Sequence, residues 1–151
     1  MANTLEITPQ EIQLKATATN WEEAIKVAAN PLVNSNRITE DYVTSMIDSV
    51  KKLGPYIVIA PGLALGHARP SAAVKETSFS IATLRQPVKF GSKDNDPVDL
   101  IVILASTSDT AHLSLLQKIV TFLNDSNNLT ELRKAETHDD ATQIANKING
   151  G

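Results

Sequence analysis

The chain has 151 residues, a formal net charge of −3 and no cysteine, with 42% of its residues hydrophobic and 21% charged. Length and composition suit one globular domain, residues 1–151, with a sizeable core. The acidic balance argues against nucleic acid as the main partner, and the missing cysteines exclude disulfides, thiolate chemistry and cysteine zinc sites. Neither a secretory signal nor a run of about 18 apolar residues for membrane insertion is visible, so a cytoplasmic protein is expected.

The first predicted element is a strand in residues 12–19, "IQLKATAT", which alternates apolar and polar positions. A helix follows in "NWEEAIKVAANPLV", with Asn20 as N-cap, Glu22 and Glu23 in the first turn, and Trp21, Ala24, Ile25 and Ala28 on one face. Pro31 is expected to end or kink it. A second helix is predicted in "ITEDYVTSMIDSVKKLGP", capped by Thr39 and stopped by Gly54-Pro55, with Tyr42, Val43, Met46, Ile47 and Val50 inward.

The run "YIVIA" (56–60) reads as a strand buried on both faces. "SFSIATLRQPV" (78–88) alternates through Phe79, Ile81 and, after a slip, Leu84, and "VDLIVILAS" (98–106), the most apolar run, is the candidate central strand. Between the last two, "KFGSKDNDP" (89–97) is a surface loop. The third long helix lies in "TSDTAHLSLLQKIVTFLND", with Leu113, Leu116, Ile119, Val120 and Leu123 inward, and two short helices near 127–135 and 138–148 complete the chain. The fold class is therefore α/β: a mixed β-sheet in one domain, flanked by helices on both faces.

Chemistry gathers in "PYIVIAPGLALGHARP", where an apolar run ends on His67 and Arg69. His67 and His112 each follow a predicted strand, the position where α/β sheets collect ligands. His112 also falls in the first turn of a helix, where free backbone N–H groups favour anions. His138, beside Asp139 and Asp140 at a helix start, reads as an exposed residue without a role. A metal site lacks its third ligand, since no His-x-x-x-His or nearby carboxylate pair occurs. No G-x-S-x-G is present, and "GLALG" is neither a dinucleotide fingerprint nor a phosphate loop. A nucleophilic histidine remains: a neutral imidazole nitrogen attacks an activated phosphoryl group, with charge balanced by Arg69, backbone N–H groups or a second imidazole. Gly62 and Gly66 are read as glycines that let the backbone approach a phosphate closely, bracketed by Pro61 and Pro70.

The segments "IAPGLALGHARP", "VKFGSKDNDPVDLIVILAS" and "DTAHLSLLQKIVTFL", with the earlier "NWEEAIKVAANPLV", resemble the enzyme IIA domain of the bacterial phosphoenolpyruvate-dependent sugar phosphotransferase system. The branch they resemble is the mannitol/fructose type, and within it the ascorbate group. The resemblance implies that His67 accepts phosphate from the phosphocarrier HPr and passes it to an enzyme IIB component, serving a membrane IIC permease without inserting in the membrane. It makes His112 the assisting histidine that hydrogen-bonds the phosphoryl group, and Gly66 and Arg69 neighbours of the phosphate. It calls for no cofactor and no metal. The family usually has Pro before this His, where the chain has Gly66. Mannitol-type members also carry an Arg near the end of the second helix, where the chain reads "MIDSVKKLG". Two other readings stay open: a regulatory IIA-like domain whose phosphorylation state a partner reads, and an inactive binding module.

Overall fold

The computed structural model describes residues 6–108, 110 and 113–150. After a single 3-10 turn, Pro9–Glu11, the elements run β1 (Ile12–Ala16), α1 (Trp21–Asn34), α2 (Glu40–Leu53), β2 (Val58–Ala60), β3 (Leu63–Gly66), β4 (Ser78–Val88), β5 (Val98–Ala105), α3 (Leu113–Leu123), α4 (Ser126–Lys134) and α5 (His138–Gly150). The five strands form one mixed sheet in the order β1-β4-β5-β3-β2. β1 is parallel to β4 and β3 is parallel to β5, while the β4–β5 and β2–β3 pairs are antiparallel.

The central position expected for the most apolar run is the one β5 occupies. Its side chains alternate between two cores, as the period of a strand requires. Ile101, Ile103 and Ala105 face the core capped by α1 and α2, and Leu100, Val102 and Leu104 face the one capped by α3, α4 and α5. Helices thus cover both faces, the α/β architecture expected from the sequence.

Four local expectations change. The run "YIVIA" is not a strand buried on both faces: β2 is three residues long, pairs only with β3, and leaves Ile59 52% exposed. No strand is predicted directly after that run, yet Leu63–Gly66 forms β3, with Pro61-Gly62 as the turn between β2 and β3. Pro31 does not end α1. A proline removes the N–H that would bond the carbonyl four residues earlier, here that of Val27, and the Gln13 side-chain amide donates to that carbonyl instead. In α3 the buried face is Leu115, Ile119 and Phe122, whereas Leu113 and Val120 are exposed.

α2 carries the expected face, with Tyr42, Val43, Met46, Ile47 and Val50 all buried. At the periphery, the Asn149 carboxamide grips Ile7 on both backbone groups: Oδ1 accepts from Ile7 N at 3.0 Å and Nδ2 donates to Ile7 O at 2.8 Å. Among the described residues, no helix is long and apolar enough to cross a membrane.

Candidate functional site

Parallel pairing builds the site. β3 runs alongside β5 in a register that matches Leu65 with Val102 and Gly66 with Ile103, so both chains leave the sheet at the same edge. His67 is the first residue past β3, and Ser106 the first past β5. Between them opens a cavity of about 210 Å³ lined by Leu65, His67, Ala68, Pro70, Leu104, Ser106 and Leu116. Leu116 brings the first turn of α3 to the same place.

The half-buried His67 ring is oriented by its own strand. Nδ1 lies 2.9 Å from the Leu65 carbonyl oxygen. A carbonyl only accepts, so Nδ1 carries the hydrogen and the lone pair sits on Nε2. The ring also meets Tyr56 in a T-shaped contact, with centroids 5.7 Å apart and an interplanar angle of 88°. An imidazole held through its Nδ1–H keeps the Nε2 lone pair for other chemistry, beside the cavity that His67 helps to line.

The backbone following His67 is fixed by a buried tyrosine. The Tyr42 hydroxyl, reaching from α2, accepts from Ala68 N at 3.0 Å and lies 2.9 Å from Leu104 O and 3.2 Å from Ala68 O. Burial pushes the pKa of this phenol above its ordinary value of 10.0, the Ala68 N–H bond opposes that rise, and the neighbouring Tyr56 adds to it. The apolar stripe of α2 predicts Tyr42 as a core residue and assigns no partner to its hydroxyl. The available signal was chemical: a tyrosine in the apolar stripe of a helix must find a partner for its O–H.

The remaining sequence candidates separate. Arg69 is exposed and makes no ion pair or hydrogen bond among the described residues. Gly66 is buried in β3; an added Cβ would lie 2.7 Å from Ile103 Cδ1 and 3.5 Å from Met46 Sδ, so packing alone explains the glycine. Gly62 requires correction. It is at the opposite end of β3, roughly 16 Å from His67 at about 3.3 Å per residue. Its φ is +73°, and the space for a Cβ is taken by Arg133 Nη2 at 2.9 Å and Asp99 Oδ1 at 3.0 Å. Its glycine is required by that turn and by the Arg133–Asp99 ion pair, not by a phosphate at His67. His138 is an exposed residue at the start of α5. His112 lies outside the described residues.

The family model described as "Phosphoenolpyruvate-dependent sugar phosphotransferase system, EIIA 2" matches residues 6–148. The chain belongs to this enzyme IIA family. Among its relatives, the ascorbate-specific enzyme IIA component of Escherichia coli K12 is 36% identical over 141 residues, covering 93% of this chain and 92% of that protein. The solution structure of the mannitol-specific cryptic enzyme IIA CmtB from E. coli superposes with a TM-score of 0.84 at 29% identity, covering 99% of this chain and 97% of that one. A mannitol enzyme IIA from E. coli, solved in complex with phosphorylated enzyme IIB, shares the fold with a TM-score of 0.79 at 22% identity, over 95% and 99% of the two chains. Enzyme IIA proteins are phosphotransfer proteins. Lysines close the C-terminal turn of α2 in this chain. There Lys51 pairs with Glu22 Oε2 at 3.2 Å, and Lys52 is exposed.

Proposed function

We propose that this enzyme IIA, acting as one domain in the cytoplasm, accepts a phosphoryl group from phospho-HPr on His67 Nε2 and delivers it to an enzyme IIB component of an ascorbate transporter. The observation that carries the reading is the Nδ1–Leu65 carbonyl bond, because it leaves Nε2 as the free nucleophilic nitrogen. In the step, the His67 Nε2–P bond forms as the donor's P–N bond breaks, and the donor nitrogen keeps the electron pair. The proton stays on His67 Nδ1, where the Leu65 carbonyl stabilises the positive charge that the ring gains. Delivery to enzyme IIB reverses the roles.

The ascorbate assignment rests on the relative that is 36% identical, and the IIB partner is supported by the mannitol IIA–IIB complex of the same fold. His112 assists by hydrogen-bonding the phosphoryl oxygens, Arg69 offers an uncommitted positive charge two residues from the acceptor, and the Gly66 backbone borders the phosphate. Intact mass after incubation with phospho-HPr tests the proposal. Wild type gains one phosphoryl group, His67→Gln gains none, and His112→Ala gains it but passes it to a cognate IIB about 10²–10⁴-fold more slowly. A His67→Gln protein still phosphorylated on histidine would overturn the assignment.

A further inference from the structure

We infer that Tyr42 is a positioning residue for His67: its buried hydroxyl joins the backbone of Ala68 to the end of β5 where the sheet's own ladder stops. The inference rests on His67 being the phosphoryl acceptor. The β3–β5 register ends at Gly66 and Ile103. One residue further, His67 would come level with Leu104, yet the chain must turn aside there to present its imidazole. The phenol of Tyr42, itself only 1% exposed, fills that position. It accepts from Ala68 N at 3.0 Å and offers its single hydrogen to Leu104 O at 2.9 Å or Ala68 O at 3.2 Å.

His67 is thereby held on both sides. Before it, the Leu65 carbonyl takes the Nδ1 hydrogen; after it, Ala68 is tied to α2 and β5 through one oxygen atom. The imidazole bond to Leu65 O spans only two residues, and the Ala68 tie limits how far the backbone beyond His67 can swing and carry the ring away from it. Without the phenol, Ala68 N loses its acceptor, the loop relaxes toward solvent, and the ring exchanges between its two tautomers. A nucleophile displaced by about 1 Å from an in-line approach loses up to about 10²-fold in rate.

Tyr42→Phe removes the hydroxyl and keeps the ring that fills the core. Three readouts are compared with wild type: nitrogen NMR of the His67 imidazole, the rate of phosphorylation by phospho-HPr per folded molecule, and the melting temperature. The expected result is a mixture of imidazole tautomers and a kcat lower by about 10- to 100-fold, with KM for phospho-HPr little changed. A lower melting temperature with a fixed Nδ1–H tautomer and an unchanged rate would overturn the inference, since that is what a purely structural tyrosine gives. The NMR arm needs no phosphoryl donor, so it decides on Tyr42 even if wild-type His67 accepts no phosphate. Should Tyr42→Phe fail to fold, 3-fluorotyrosine placed at position 42 in a Tyr56→Phe background perturbs the same oxygen without deleting it. The Ala68 amide and His67 imidazole resonances should then shift together, and no shift in either overturns the inference.

Discussion

Gly66→Ala is a one-carbon perturbation whose cost follows from a single distance. The new Cβ would sit 2.7 Å from Ile103 Cδ1, about 1 Å inside the 3.5–4.0 Å at which carbon atoms attract. Ile103 is fully buried in the central strand and cannot swing its methyl into solvent. Overpacking of this kind costs about 1–3 kcal/mol, and replacing a glycine returns about 0.4–1 kcal/mol by restricting the unfolded chain. The net expectation is a loss of about 1.5 kcal/mol, a fall in melting temperature of roughly 3–6 °C for a domain of this size. The Ile103→Val change removes the offending methyl and by itself costs about 0.5–1.5 kcal/mol. In that background Gly66→Ala should be neutral or slightly stabilising, because the next nearest atoms, Met46 Sδ at 3.5 Å and Val102 O at 3.8 Å, are ordinary neighbours. Urea denaturation of the four proteins in this cycle measures the coupling, expected at about 1–2 kcal/mol. Additive losses, or a Gly66→Ala protein as stable as wild type, would refute the packing argument. A proline at position 66 would bring a Cβ to the same place, so Gly66 and Ile103 belong together in this chain.

Arg69→Ala should change stability by less than about 0.5 kcal/mol, as expected for an exposed arginine without a partner among the described residues, while slowing phosphotransfer; a large melting shift with normal transfer would make Arg69 structural. At the start of α5, backbone N–H bonds from Glu136 and Thr137 hold the Asp140 carboxyl below its ordinary 3.8. A depressed folded-state pKa contributes stability above 3.8 that is lost as pH falls through the lower folded value. Urea melts from about pH 5 downward should therefore show a shallower acid loss for Asp140→Asn than for wild type, and equal slopes would deny the carboxylate this role.

α2 was legible in full because its apolar residues form one stripe and its charged residues occupy the other face. α3 was not, because Leu113, Leu115, Leu116, Ile119, Val120, Phe122 and Leu123 give apolar positions on several faces. Periodicity alone could not choose among them; contact with α5 and the sheet did. The β2–β3 hairpin was hidden by brevity, as its two strands hold three and four residues around Pro61-Gly62 and read as one run plus a loop. At the site, His67 was visible from its position after an apolar run. The packing reason for Gly66 was not, since Ile103 lies 37 positions along the chain and becomes a neighbour only through the parallel register. The Tyr42 hydroxyl was hidden for the same reason: its partners come from residues 68 and 104.

The Asn149 grip on Ile7 makes the fold nearly circular. A backbone group near the front of the chain and a side chain near its back are joined by two hydrogen bonds, so the gap between them is short enough for a brief linker. The turn at 92–94 has Lys93 and Asp94 exposed, and Asp96 closes it by accepting from Phe90 N and Gly91 N and donating its own N–H to Ser92 O. Connectivity could therefore be cut there and closed across Ile7 and Asn149 while the β3–β5 register that carries His67 stays whole. The closeness of Ile7 and Asn149 is the geometry that circular permutation and domain insertion tolerate.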